Sequence, residues 1–134
     1  MAQVTKQVLV EGLNNLVLRV NFLSNGVDGE LENYVLLTPA ELTPAKPAAP
    51  CLRIMQVWWG FVWFNLTVSY GDTVPRPFWN FPRDSDNHVD FRHFGGLSDT
   101  QLTPPSGANG SLLLSTDNFA PVGSQGSMVI EFRK

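Results

Sequence analysis

The sequence predicts an all-β domain, a β-sandwich or jelly roll of about eight short strands joined through a proline-rich crossover. Three observations predict it. Apolar and polar residues alternate through several stretches. Glycine and proline, 21 of 134 residues taken together (11 and 10), punctuate the chain between those stretches. No stretch sustains a helical period. A chain of this length can close one core without a metal or a disulfide, so residues 1–134 are read as a single domain.

In order, Gln3–Val10 alternates with Val4, Lys6, Val8 and Val10 opposite Thr5, Gln7 and Leu9, a first strand. Glu11–Asn15 is a turn. Leu16–Phe22 is a second strand, with Leu16, Leu18, Val20 and Phe22 on one face and Arg19 and Asn21 on the other. Ser24–Glu32 is a polar turn whose Gly26 and Gly29 suit positive φ. Asn33–Leu37 is a short strand. Thr38–Pro50, TPAELTPAKPAAP, is the clearest non-sheet segment. Thr38 is placed to cap one helical turn over Pro39–Leu42, and the remainder is an extended connector within the domain.

Leu52–Tyr70 is the centre of the chain and holds three of its four tryptophans. Its length approaches that of a membrane span, but the tryptophans sit in the middle, and Gln56, Asn65, Thr67 and Ser69 interrupt it. Val62, Phe64, Leu66, Val68 and Tyr70 alternate with Trp63, Asn65, Thr67 and Ser69, a half-buried strand. Leu52 and Ile54 open a similar strand, and the two are expected to join near Gly60 as a hairpin in the middle of one sheet. Trp58 and Trp59 are adjacent, so they point to opposite faces and do not share a core. Pro77–Phe81 is a short aromatic piece, Pro82–Asn87 a loop and His88–Phe94 a strand. Gly95–Asn109 is a long loop, and Gly110–Ser115 and Ser127–Arg133 close the sheet.

The net charge is −3 with no basic cluster, which argues against a nucleic-acid surface. The single cysteine, Cys51, excludes an intramolecular disulfide and reads as a buried thiol. The start MAQVTKQV lacks the pattern of a signal peptide, so synthesis in a cytoplasm is expected. Asp84, Asp86, Asn87, His88, Asp90 and His93 form the densest polar cluster. They lack the glycine and terminal glutamate of a calcium loop and match no zinc or iron spacing, so a solvated hairpin tip is expected and no metal ligand is assigned. No Gly-x-Ser-x-Gly elbow or phosphate loop is present. No catalytic residue and no cofactor are assigned.

Six segments together carry a resemblance: VLVEGLNNLVLRV, DGELENYVLLTPAEL, LRIMQVWW, DFRHFGGL, GSLLLST and GSMVIEFRK. In this order they resemble small virion proteins of tailed bacteriophages, regarded as capsid decoration or cement proteins. The resemblance implies a non-enzymatic, β-rich protein on the outer surface of an assembled phage shell, with the major capsid protein as its partner. It brings no catalytic residues. The expected partner-facing residues are Val4, Lys6 and Val8 in the first strand, Pro44, Lys46 and Pro47 in the connector, and Phe78, Trp79 and Phe81 in the aromatic piece. Trp58 and Trp59 are expected to drive self-association, as a trimer, because exposed apolar surface marks contacts. No nucleic-acid or membrane partner is expected. The alternatives are a tail or baseplate β-module, a carbohydrate-binding module suggested by its Trp, Asn and Asp residues, and a small metal-dependent enzyme using the His88–His93 region.

Overall fold

Among the described residues, alternation is converted into ten strands: β1 (Val4–Glu11), β2 (Asn15–Leu23), β3 (Tyr34–Leu37), β4 (Arg53–Val62), β5 (Asn65–Tyr70), β6 (Arg76–Phe81), β7 (Asp86–Asp90), β8 (Leu97–Ser98), β9 (Leu112–Asp117) and β10 (Gln125–Arg133). The structure, a computed structural model, describes residues 3–27, 29–38, 41, 53–71, 76–98, 111–119 and 123–133. Among them the helical residues are a 3-10 turn at Arg92–Phe94 and a 3-10 residue at Glu41, and no described helix is long and apolar enough to cross a membrane. Within the aromatic stretch, Arg53–Val62 and Asn65–Tyr70 are strand, as their period required.

Two antiparallel sheets form. One runs β1-β2-β10-β4-β7, with β8 also on β4, and the other runs β3-β9-β5-β6. The hydrogen-bonded pairs β2–β10, β3–β9, β4–β7 and β5–β6 are nested in sequence. The chain is thus one long antiparallel ribbon doubled over itself, with its halves exchanged between two layers. That order is a jelly roll. Each layer turns one face inward. On β2, Leu16, Leu18, Val20 and Phe22 are all buried, while Arg19 and Leu23 are exposed. On β10, Met128, Ile130 and Phe132 fill the same core.

The centre of the core is aromatic. Phe22 meets Phe61 edge-on at 5.7 Å, Phe61 lies 4.9 Å from Phe64, and Phe64 lies 4.8 Å from Phe119. Such tilted and T-shaped contacts add to the burial itself. Gly126 on β10 makes room for them. A Cβ there would fall 2.5 Å from the Phe61 ring and 2.7 Å from the Gly60 carbonyl oxygen.

Several expectations need correction. β4 and β5 do not form a hairpin in one sheet: β4 runs through Gly60 to Val62, and β5 belongs to the other layer. The chain crosses between layers at Trp63 and Phe64. The alternation changes phase there, so Phe61 and Phe64 both point inward and Val62 is exposed. The predicted strand His88–Phe94 starts earlier and ends at Asp90, because the Arg92 backbone N–H and guanidinium turn back onto the Asp90 carboxylate. Gly26 and Gly29 have the expected positive φ, 73° and 75°. Glu41 donates its backbone N–H to the Thr38 carbonyl and accepts the Thr38 N–H with its carboxylate. Most of the proline-rich segment lies outside the described residues.

Gly126→Ala is expected to destabilise the fold by about 1–3 kcal/mol, because neither the packed ring nor the backbone oxygen can give way cheaply. Gly60→Ala should cost under about 1 kcal/mol, since its Cβ would meet only Asp86 Cβ at an ordinary 3.6 Å. Urea denaturation of both variants checks this, and equal losses would contradict the packing described.

Candidate functional site

The crossover from β4 to β5 places an indole in solvent. Trp63 has φ 73°, a left-handed conformation that is a true outlier for a bulky side chain. It persists because both backbone polar groups are held from outside. Its N–H donates to Asp84 Oδ1 at 2.8 Å, and its carbonyl accepts the Asn118 side-chain amide at 2.9 Å. Asp84 and Asn118 are themselves left-handed, at φ 54° and 67°, which short polar side chains tolerate.

The β6–β7 connection is in turn fastened to β4. Phe61 donates its backbone N–H to the Ser85 carbonyl, and the Trp59 indole N–H donates to Ser85 Oγ at 3.1 Å. One face of the Trp63 ring lies over Gly123, where a Cβ would come within 2.9 Å of the ring. Three connections therefore meet around one residue, and its side chain remains 50% exposed. Val62, next to it, is 41% exposed. Backbone strain held by surrounding structure is characteristic of functional positions.

A second arrangement covers the outer face of the larger sheet. Strand register places Thr5, Asn21, Ser127, Gly60 and Asp86 side by side across five strands. Bulkier rows flank this line of small polar residues. Arg19, Val129, Trp58 and His88 lie on one side, and Leu23, Gln125 and Val62 lie on the other. Two hollows of about 520 and 360 Å3 share Gly60 and Ser127 in this line. Trp58 stacks on His88 with ring centroids 4.6 Å apart and planes 5° from parallel. The His88 ring is itself fixed. Gln56 donates its amide to Glu131 Oε1 at 3.0 Å, leaving its carbonyl toward His88 Nε2 at 3.0 Å. Because that oxygen only accepts, Nε2 carries the proton.

The residues expected to face partners fall into different places. Val4 and Phe81 are core residues, 6% and 2% exposed, so neither presents a side chain to a partner. The period grouped Val4 with Lys6 and Val8, but did not show that packing covers Val4 and leaves Val8 exposed. Lys6 bridges the two layers, donating to the Leu36 carbonyl and pairing with Glu41. Burial pushes the Glu41 carboxyl up, but Lys6 and Thr38 outweigh it and hold it below the ordinary value. Val8 is 51% exposed on edge strand β1. Trp79 packs edge-on against Phe91, and Trp59 at a tilt against Phe81, both as partly buried extensions of the core. Trp59 is therefore not a free contact, whereas Trp58 is 39% exposed. Phe78 lies in β6 with its side chain outside the description, and Pro44, Lys46, Pro47 and Cys51 lie outside the described residues.

Trp63 was missed because it reads as one step of an alternation. The available signal is Phe61-Val62-Trp63-Phe64, four large apolar residues in succession, which cannot all enter one core. Among the described residues no three of His, Cys, Asp and Glu come together to hold a metal. The polar cluster instead contains an ion pair: Arg92 grips Asp90 through two nitrogens.

The Arg92 side chain, and then its backbone N–H, hold the Asp90 carboxyl well below its ordinary 3.8. A depressed carboxyl contributes stability that is present above its unfolded value and is lost as pH falls through its folded one. In a carboxyl NMR titration Asp90 should titrate below 3.8, and Arg92→Ala should return it toward that value. An unchanged midpoint in the variant would contradict the pairing.

No family model and no curated protein matches the chain. Solved structures similar to it include a cupin superfamily protein from Desulfitobacterium hafniense, at 8% identity and TM-score 0.33 over 98% of this chain and 76% of that one. Another is cobalt(II) HppE in complex with Tris buffer, at 11% identity and TM-score 0.35 over 98% of this chain and 54% of that one. At these distances neither carries an argument about what this chain does, and the jelly roll rests on its own strand order.

Proposed function

We propose that the chain is a non-enzymatic virion protein that docks on the outer surface of an assembled phage capsid and stabilises it, acting as a homo-oligomer, a trimer. The observation that carries this reading is Trp63. A half-exposed indole, held in a strained conformation by Asp84, Asn118 and Gly123, is a pre-ordered anchor that loses little freedom on docking. Tryptophans of this kind dominate the energy of protein contacts. A second support is the β1 edge. Among the described residues β1 pairs only with β2, and Val8, Leu9 and Val10 are each about half exposed, so a partner segment can add to it as a further strand.

A shell repeats nearly identical sites many times, so a modest contact per copy accumulates through multivalency. Binding to the lattice and not to free subunits then stabilises the lattice by mass action. A tail or baseplate location uses the same anchor on a different partner, and the experiment separates the two.

Purified protein mixed with undecorated heads of its own phage should co-sediment with them and raise their thermal midpoint. Trp63→Ala should weaken that binding by roughly 30-fold or more, the loss of one interface hot spot, while keeping its own melting temperature within a few degrees. Protein that stays in the supernatant with heads but pellets with tails moves the site to the tail. Unchanged binding by Trp63→Ala removes the anchor from the account.

A further inference from the structure

We propose that the outer face of the larger sheet carries a binding trough for a neutral oligosaccharide chain, separate from the Trp63 end. The trough is the line of small residues around Gly60 and Ser127, walled by Trp58 and His88. It crosses five strands, four spacings of about 4.8 Å, so it is about 19 Å long. That suits a linear ligand of several rings and exceeds what a single small molecule would fill.

The chemistry of the trough selects the ligand. His88 covers one face of the Trp58 indole, so the 39% of Trp58 that is exposed lies on its other face and its edge. A flat, exposed indole receives the C–H face of a pyranose ring, while polar groups beside it bind the hydroxyls. Those groups are the Asp86 carboxylate as acceptor, the Asn21 amide as donor and acceptor, and the Ser127 hydroxyl as either. None of these three side chains is hydrogen-bonded to another described residue. The Glu131–Gln56–His88 chain fixes the imidazole that backs the indole, so the platform is rigid before any ligand arrives.

Other ligands fit less well. A peptide strand needs main-chain partners, and the main chain under this face is already consumed in the β-ladders. A nucleic acid needs several cations. The trough walls offer Arg19, which is offset by Asp86, and the chain as a whole carries net charge −3.

The test titrates linear hexasaccharides of β-1,4-linked glucose, β-1,4-linked N-acetylglucosamine and α-1,4-linked glucose into labelled protein followed by amide NMR. At least one should shift the amides of Trp58, Gly60, Asp86 and Ser127. Trp58→Ala and Ser127→Ile, which remove the platform and fill the floor, should each weaken that binding roughly tenfold or more, the order expected for loss of one aromatic stack. Trp63→Ala should bind the sugar as the native chain does, which separates this site from the docking end. The proposal is overturned if no probe binds up to roughly 10 mM, a concentration above the millimolar range of weak recognition. It is equally overturned if the shifts map elsewhere or if both trough variants bind normally.

Discussion

The fold depends on how the chain leaves one layer and enters the other at Trp63 and Phe64. A jelly roll exchanges its ribbon between sheets, and here the exchange is made in two residues. Phe61 closes one layer, Phe64 opens the next, and both must reach the same core, where Phe22 and Phe119 meet them. Two inward rings three positions apart leave no extended path between them. The backbone therefore turns left-handed at Trp63, and that turn throws the indole outward. The exposed ring is thus a consequence of the same geometry that closes the core.

The outer face follows from the same division. Once one face of β2, β4 and β10 is committed to the core, the alternate residues must lie outward in register. They sort by size into rows because Gly60 and Ser127 face each other across β4 and β10. Two of the described charge pairs are local, Lys6 with Glu41 between the layers and Arg92 with Asp90 at the end of β7. What remains for recognition is chiefly aromatic and uncharged polar. The end of the barrel-like sandwich offers a rigid apolar anchor, whereas the sheet face offers a ring platform beside hydrogen-bonding groups. On the proposed reading, their separation lets one molecule hold a large assembly and still present a binding face.

Much of the architecture was legible because alternation is a local property. The inward row of β2 and the opposite orientations of Trp58 and Trp59 were fixed by period alone. Layer assignment was not, since β4 pairs with β10 and β7, far along the chain, and no local pattern states that. Trp63 was illegible for the same reason. Its conformation is imposed by Asp84 and Asn118, 21 and 55 residues away. Val4 shows the converse: alternation grouped it with Lys6, Val8 and Val10, but a bulge between Val8 and Val10 breaks that row, and only the packing of the layers reveals that Val4 is buried while Val8 stays half exposed. The strand at β7 was cut short by a carboxylate–guanidinium contact two residues apart, a competition that apolar period does not register.

The most direct measurement is oxidative footprinting of the tryptophans, read by mass spectrometry on the protein alone and on protein bound to phage heads. Trp63 should be oxidised readily in the free protein and protected on the particle, while Trp58, which belongs to the other face, should react equally in both. Trp63 reacting as fast on the particle as off it, with binding intact, would contradict the claim that this strained, exposed ring is the docking anchor.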